Sequence, residues 1–128
     1  METNLGDPGL FPGTASLEKL LVKRFGDLFH CPGAGGYATS GGTESNIQAL
    51  RLAKARRHEV ATPHVIVPGS AHFSFKKAGD ILGLEMRKVP LCEDHRMDAN
   101  KVAGLVDKNT IAMVGIAGTT EYGMVDTI

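Results

Sequence analysis

Apolar positions along the chain fall first at helical spacing and then in short runs divided by turn-forming residues. Leu17, Leu20, Leu21, Phe25 and Leu28 fit one face of a helix, with Thr14 or Ser16 placed to cap it. Ahead of them, the two prolines and three glycines of the stretch from Gly6 to Gly13 predict turns and extended backbone. The segment from His30 to Gly36 breaks the helix. Tyr37 to Ser40 then reads as a short extended piece and Gly41-Gly42 as a tight turn. A helix is predicted from Thr43 to about Arg57, with Ile47, Leu50 and Leu52 among its apolar positions. Val65-Ile66-Val67 has the character of a buried strand closed by Pro68-Gly69. A short helix over Ser74 to Leu82, a strand over Leu84 to Leu91 and a helix over Asp98 to Val106 follow. Ile111 to Ile116 is the most apolar run and reads as the most buried strand. Alternation between helical and strand periods predicts an α/β fold, a parallel sheet with helices on its faces. Ligands bind such sheets at the carboxyl ends of their strands, so the residues after each strand are the candidates for chemistry.

Composition narrows the class. At 128 residues the chain holds at most one domain, and 42% hydrophobic with 22% charged residues is ordinary for a globular protein. The 14 basic and 14 acidic residues cancel, so net charge supplies no pull toward nucleic acid or an anionic membrane surface. No apolar run approaches the roughly 20 residues of a membrane span. The opening Met1-Glu2-Thr3-Asn4-Leu5 lacks the basic-then-apolar order of a secretory signal. Cys31 and Cys92 are read as two reduced thiols of a cytoplasmic protein. Glycine, at 16 residues, is the outlier, and it marks places where backbone turns tightly or approaches a ligand.

Three strand ends carry candidate chemistry. In Ser40-Gly41-Gly42-Thr43-Glu44-Ser45-Asn46, two glycines open a helix whose first amides carry partial positive charge and can receive a phosphate. The plainer alternative is an N-cap supplied by Ser40 or Thr43. In Gly69-Ser70-Ala71-His72-Phe73-Ser74, the imidazole of His72 can stack on a flat ring or move a proton, or can simply be a surface residue. In Gly118-Thr119-Thr120-Glu121-Tyr122-Gly123, two hydroxyls either face a pocket or tie a turn together. An anion cradle, an imidazole and a hydroxyl pair together suit a flat, phosphorylated cofactor.

Competing signals are weaker. Gly33-Ala34-Gly35-Gly36-Tyr37-Ala38 matches a dinucleotide-binding glycine pattern, but no convincing strand precedes it and no acidic ribose ligand follows at a strand end. His30-Cys31 and Cys92 with His95 lack a Cys-x-x-Cys core, so no metal site is expected. The basic run from Arg51 to His58 reads as a solvated helix end, without interleaved aromatics for nucleic-acid stacking.

Four segments carry a resemblance. Asn4 to Phe11, Ser40 to Asn46, Ala71-His72-Phe73-Ser74-Phe75 and Gly115 to Glu121 resemble the group II pyridoxal-phosphate-dependent decarboxylases, most closely the archaeal tyrosine/aspartate decarboxylase branch. The resemblance implies part of the large domain of the aspartate-aminotransferase-like (fold type I) pyridoxal-phosphate-dependent fold, a mostly parallel sheet with flanking helices. It divides the chain into a turn segment over residues 1–13, near the substrate, and a partial cofactor-binding domain over residues 14–128.

By the same resemblance, Gly42 and Thr43 match the phosphate-binding turn. His72 matches the histidine stacked on the pyridine ring, with a catalytic role in protonation. Thr120 matches a threonine that contacts the cofactor near that ring, and Asp7 an aspartate near the substrate. The implied cofactor is pyridoxal 5'-phosphate, whose ring accepts the electrons released when carbon dioxide leaves an L-amino acid. The implied assembly is a homodimer, or a complex with a complementing C-terminal polypeptide.

The family's Schiff-base lysine follows a histidine, and no His-Lys pair occurs in these 128 residues. Lys76 and Lys77 open a helix and read as solvated. The expectation is therefore a fragment that is inactive alone. The alternative is a non-catalytic α/β module that binds an anion or a partner polypeptide.

Overall fold

The computed structural model describes residues 7–127, so Asn4-Leu5-Gly6 of the first motif lie outside the described residues. Two compact units divide after Ser40.

In the unit Met1–Ser40, α1 spans Pro12–Leu28. It begins earlier than the sequence pattern predicts, so Pro12 and Gly13 are helical rather than part of a turn. Proline fits the first helical position, where its fixed φ is already right and an N–H has no intrahelical partner to lose. Neither Thr14 nor Ser16 is the cap. Phe11 occupies that position, and Ser16 Oγ donates back to Pro12 O at 2.8 Å. Lys23 and Asp27, one turn apart, pair at 2.6 Å on the exposed surface. Gly26 is buried, and a Cβ there would stand 2.9 Å from the carbonyl of Cys31, whose amide closes the helix end on Gly26 O. Tyr37 to Ser40 belongs to no strand: the Ala38 amide donates to Glu18 Oε1 at 2.7 Å, so a side chain of α1 takes the bond that a neighbouring strand would accept.

In the unit Gly41–Ile128 the order is α2 (Gly42–Arg56), β1 (His64–Pro68), α3 (Phe73–Leu82), β2 (Glu85–Val89), α4 (Ala99–Val102) and β3 (Thr110–Met113). The three strands form one parallel sheet in the order β2-β1-β3. Every residue of β1 is buried, because a sheet neighbour lies on each side and side chains cover both faces. Val65 and Val67 join Leu50, Ala78 and Leu84 on one face, while Ile66 joins Val89 and Met97 on the other. The alternation of strand side chains produces this split.

Two expectations change here. The most apolar run is not the most buried strand: β3 ends at Met113, forms an edge of the sheet, and leaves Met113 53% exposed. The helix predicted over Asp98 to Val106 is a single turn. Asp98 caps it through the Asn100 amide at 3.0 Å, and Gly104 follows, a residue that lowers helix stability. Gly79 shows why α3 sits close to β2, since a Cβ on it would lie 3.0 Å from Leu84 O and 3.1 Å from Met86.

The amino ends of the strands are held by polar contacts. His64 is fully buried, with Nε2 2.6 Å from Thr110 Oγ1. Asp107 accepts from Arg87 Nη1 at 2.8 Å and from the Asn109 amide at 2.7 Å. The Arg87 bond, then the Asn109 amide, hold the Asp107 carboxyl below its ordinary range. A depressed folded-state value means a stabilising contribution that is present above the unfolded-state value and lost as pH falls through the folded one. Asp107→Asn is therefore expected to lower the urea midpoint at neutral pH. The gap to the parent should close on acidification below the ordinary carboxylate range; a gap that stays constant across that titration would contradict the assignment.

Candidate functional site

The direction of α2 fixes which end of the sheet its first turn occupies. At its last turn Lys54 Nζ donates to Leu82 O at 2.5 Å, and just beyond it Arg57 Nη2 donates to Lys108 O at 3.0 Å, ahead of β3. One turn beyond its start Asn46 Nδ2 donates to Ser74 Oγ at 2.8 Å, in the turn of α3 that follows β1. The helix therefore runs back against β1, and Gly42 and Thr43 open it at the carboxyl edge of the sheet. His72 lies on the same edge as N-cap of α3, and Thr120 follows β3 on that edge.

His72 is exposed, and its orientation is set locally. Its Nδ1 accepts from the Ser74 amide at 3.3 Å and lies 2.8 Å from Ser74 Oγ. Ser74 itself is fully buried. Phe73 tilts against the imidazole with ring centroids 4.2 Å apart. In the preceding turn the Ser70 hydroxyl is buried without a protein partner.

The segment after β3 separates its two threonines. Thr119 is buried and its Oγ1 accepts from the Met124 amide at 3.0 Å, so it ties the turn. Thr120 is exposed. Of the hydroxyl pair expected to face one pocket, only Thr120 is presented outward. The loop is braced from within by Asp126, which is 4% exposed. One carboxylate oxygen accepts from the Met97 amide at 2.7 Å and the other from the Ile116 amide at 2.9 Å. His95 stacks on Tyr122 at 3.8 Å with ring planes 3° apart, a second tie between the turn after β2 and this loop. Sequence reading gave Asp126 no role. Nothing in local periodicity marks it, although an acidic residue in an otherwise apolar terminal run was a visible signal.

Glycine leaves the first turn of α2 open. A Cβ on Gly41 or on Gly42 would meet no heavy atom within 4 Å. Helix-opening amides carry partial positive charge, and without a side chain a bulky anion can reach them. An open amide turn, an exposed imidazole and an exposed hydroxyl on one sheet edge fit a flat phosphorylated ring such as pyridoxal phosphate.

Asp7, in the unit Met1–Ser40, closes its own turn by accepting from the Gly9 amide at 2.8 Å and the Leu10 amide at 3.3 Å. Lys76 and Lys77 are exposed, and Lys77 Nζ lies 5.7 Å from the centre of the Phe73 ring. Cys31 and Cys92 are exposed free thiols. Desolvation first, and then Asp98, Asp94 and Glu93, push the Cys92 thiol above its ordinary value. Among the described residues no cluster of three or more His, Cys, Asp or Glu could hold a metal ion, and no helix is long and apolar enough to cross a membrane.

Comparison with known proteins identifies the family and the fold. The chain is 72% identical over its full length to a probable L-tyrosine/L-aspartate decarboxylase of Methanoregula boonei. It is 48% identical to a probable L-aspartate decarboxylase of Archaeoglobus fulgidus. It spans 35% of the length of each of these curated relatives. Among solved structures, it matches a sphingosine-1-phosphate lyase of Burkholderia pseudomallei with TM-score 0.82 and 32% identity, over 94% of this chain and 30% of that one. A glutamate decarboxylase of Lactobacillus brevis matches with TM-score 0.80 and 26% identity, over 98% of this chain and 32% of that one. The expected fold, part of the fold type I pyridoxal-phosphate architecture, thus holds. The model of the pyridoxal-dependent decarboxylase conserved domain matches residues 4–128, and the chain belongs to that family.

Proposed function

We propose that this chain carries the phosphate-binding and ring-stacking part of a pyridoxal-phosphate-dependent carboxy-lyase that releases carbon dioxide from an L-amino acid, tyrosine or aspartate. The observation that carries the reading is the shared sheet edge of the open Gly42-Thr43 turn, the His72 imidazole and the Thr120 hydroxyl. The names of the archaeal relatives favour tyrosine or aspartate as substrate.

When bound, pyridoxal phosphate supplies the electron sink that decarboxylation requires. The residues of this chain would hold the cofactor rather than complete the reaction, since the family's His-Lys pair is not among them. The amides that open α2 at Gly42 and Thr43 bind the phosphate and fix one end of the ring. His72 would stack on the ring and would hold a proton at its imidazole nitrogen. Thr120 would offer a hydroxyl hydrogen bond to the bound cofactor. Asp7 is proposed as a substrate contact on the family resemblance alone. The working unit is a cytoplasmic homodimer, or this chain with a polypeptide that completes the site.

The test is to express the full reading frame that encodes the chain, add pyridoxal phosphate, and measure carbon dioxide release from L-tyrosine, L-aspartate and L-glutamate. Release from tyrosine or aspartate is expected. The 128-residue chain by itself, which contains no His-Lys pair, is expected to release none. A full-length product that binds the cofactor and releases carbon dioxide from none of the three would overturn the reading.

A further inference from the structure

We propose that Asn46 and Ser74 are positioning residues that hold His72 as the neutral tautomer with its proton on Nε2. The inference deepens the reading above and rests on it, because it concerns the imidazole assigned there to the cofactor ring.

The direction of each bond follows from the one before it. The Ser74 amide can only donate, and it points at His72 Nδ1 at 3.3 Å, so Nδ1 is an acceptor. The Ser74 hydroxyl, 2.8 Å from the same nitrogen, must then donate to it. That uses the single hydroxyl proton and leaves the Ser74 oxygen with lone pairs only. Asn46 meets this oxygen with its amino group, Nδ2, at 2.8 Å. The chain of donation therefore runs one way, from Asn46 through Ser74 to His72. Ser74 is fully buried, so water does not compete for its hydroxyl. Asn46 sits on α2 one turn beyond Gly42 and Thr43. The helix that offers the phosphate turn also sets the proton on the imidazole. A neutral ring with Nε2–H can lie over an electron-poor pyridine ring without adding positive charge, and its one proton faces away from Ser74.

The direction of the relay can be reversed with an isosteric change. Asn46→Asp replaces the amino donor with an acceptor. The Ser74 hydroxyl would turn to donate to that carboxylate and present a lone pair to Nδ1, drawing the ring proton there. Long-range proton–nitrogen NMR on histidine-labelled chain, without cofactor, reads the tautomer directly at about pH 8, well above the ordinary imidazole range. His72→Gln identifies the signals. In the parent, Nε2–H is expected to dominate. Asn46→Asp is expected to shift the ratio toward Nδ1–H by about fivefold, the factor one neutral hydrogen bond of ordinary strength supplies.

If Asn46→Asp fails to fold by circular dichroism, Ser74→Ala decides, since it removes the stronger donor and should shift the ratio the same way. A parent with its proton on Nδ1, or a ratio unmoved in the folded variant, would overturn the proposal. Because no cofactor is present, that result is distinct from a failure of the decarboxylase reading, which the carbon dioxide assay reports.

Discussion

Asp126→Ala is expected to lower unfolding stability by about 3 kcal/mol, because it strips one buried and one part-buried amide of their acceptor at once. Met97 N and Ile116 N both donate to this carboxylate, and the residue is almost fully enclosed. Each buried donor left without a partner costs on the order of 1–3 kcal/mol, against a total of roughly 5–15 kcal/mol for a domain. Asp126→Asn should rescue little. Its amide group offers one oxygen and one NH2, so one of the two backbone donors would meet another donor.

The consequence reaches the site. Asp126 ties the turn after β2 to the loop that carries Thr120, and the Asp126 amide itself bonds Ile116 O at 2.9 Å. Urea unfolding measures the stability change. Hydrogen exchange at Met97 and Ile116 shows whether the loop loosens first. A midpoint unchanged in Asp126→Ala would mean that the carboxylate does not carry these bonds in solution.

Gly42→Val is expected to weaken pyridoxal phosphate binding at least tenfold in the full-length protein while leaving the fold intact. A tenfold loss is about 1.4 kcal/mol, modest for closing an anion site. The separation of the two effects is what makes the substitution informative. A Cβ at Gly42 enters empty space, so the first atom of a new side chain meets nothing in the unit that holds α2. The branched methyls of valine would fill the approach to the amides that the phosphate would use. Gly42 is the first helical residue, with Gly41 as its cap, and valine is no poorer a helix former than glycine there. Titration with pyridoxal phosphate, followed by absorbance, gives the affinity, and the urea midpoint gives the fold. Equal affinity in the parent and variant would remove the phosphate from this turn. A fallen midpoint would instead show that glycine is there for packing.

Much of this molecule was legible in the order of its residues, because helix and strand periods are local. The runs around Leu50, Val65-Ile66-Val67 and Ser74 to Leu82 gave α2, β1 and α3 nearly at their observed bounds. The succession of periods gave a parallel sheet, and such a sheet puts His72 and Thr120 after strands, whereas the Gly42 turn follows no strand and reaches that edge only through the direction of α2.

What the sequence could not carry is any property that depends on a distant neighbour. Burial ranking is one. Ile111 to Ile116 is the more apolar run, yet β1 is the buried strand, because burial follows the number of flanking strands and not the hydropathy of the run itself. The threonine pair is another. Thr119 and Thr120 are chemically identical, and only the fold of the loop turns one inward to Met124 and the other outward. The hydrogen bonds that shape the site are the third. Asn46 meets Ser74 across 28 positions and Asp126 meets Met97 across 29. A polar side chain records in its identity that it can donate or accept. The partner is chosen only when the sheet assembles, brings the strand ends to one edge and excludes the water that would otherwise take its place.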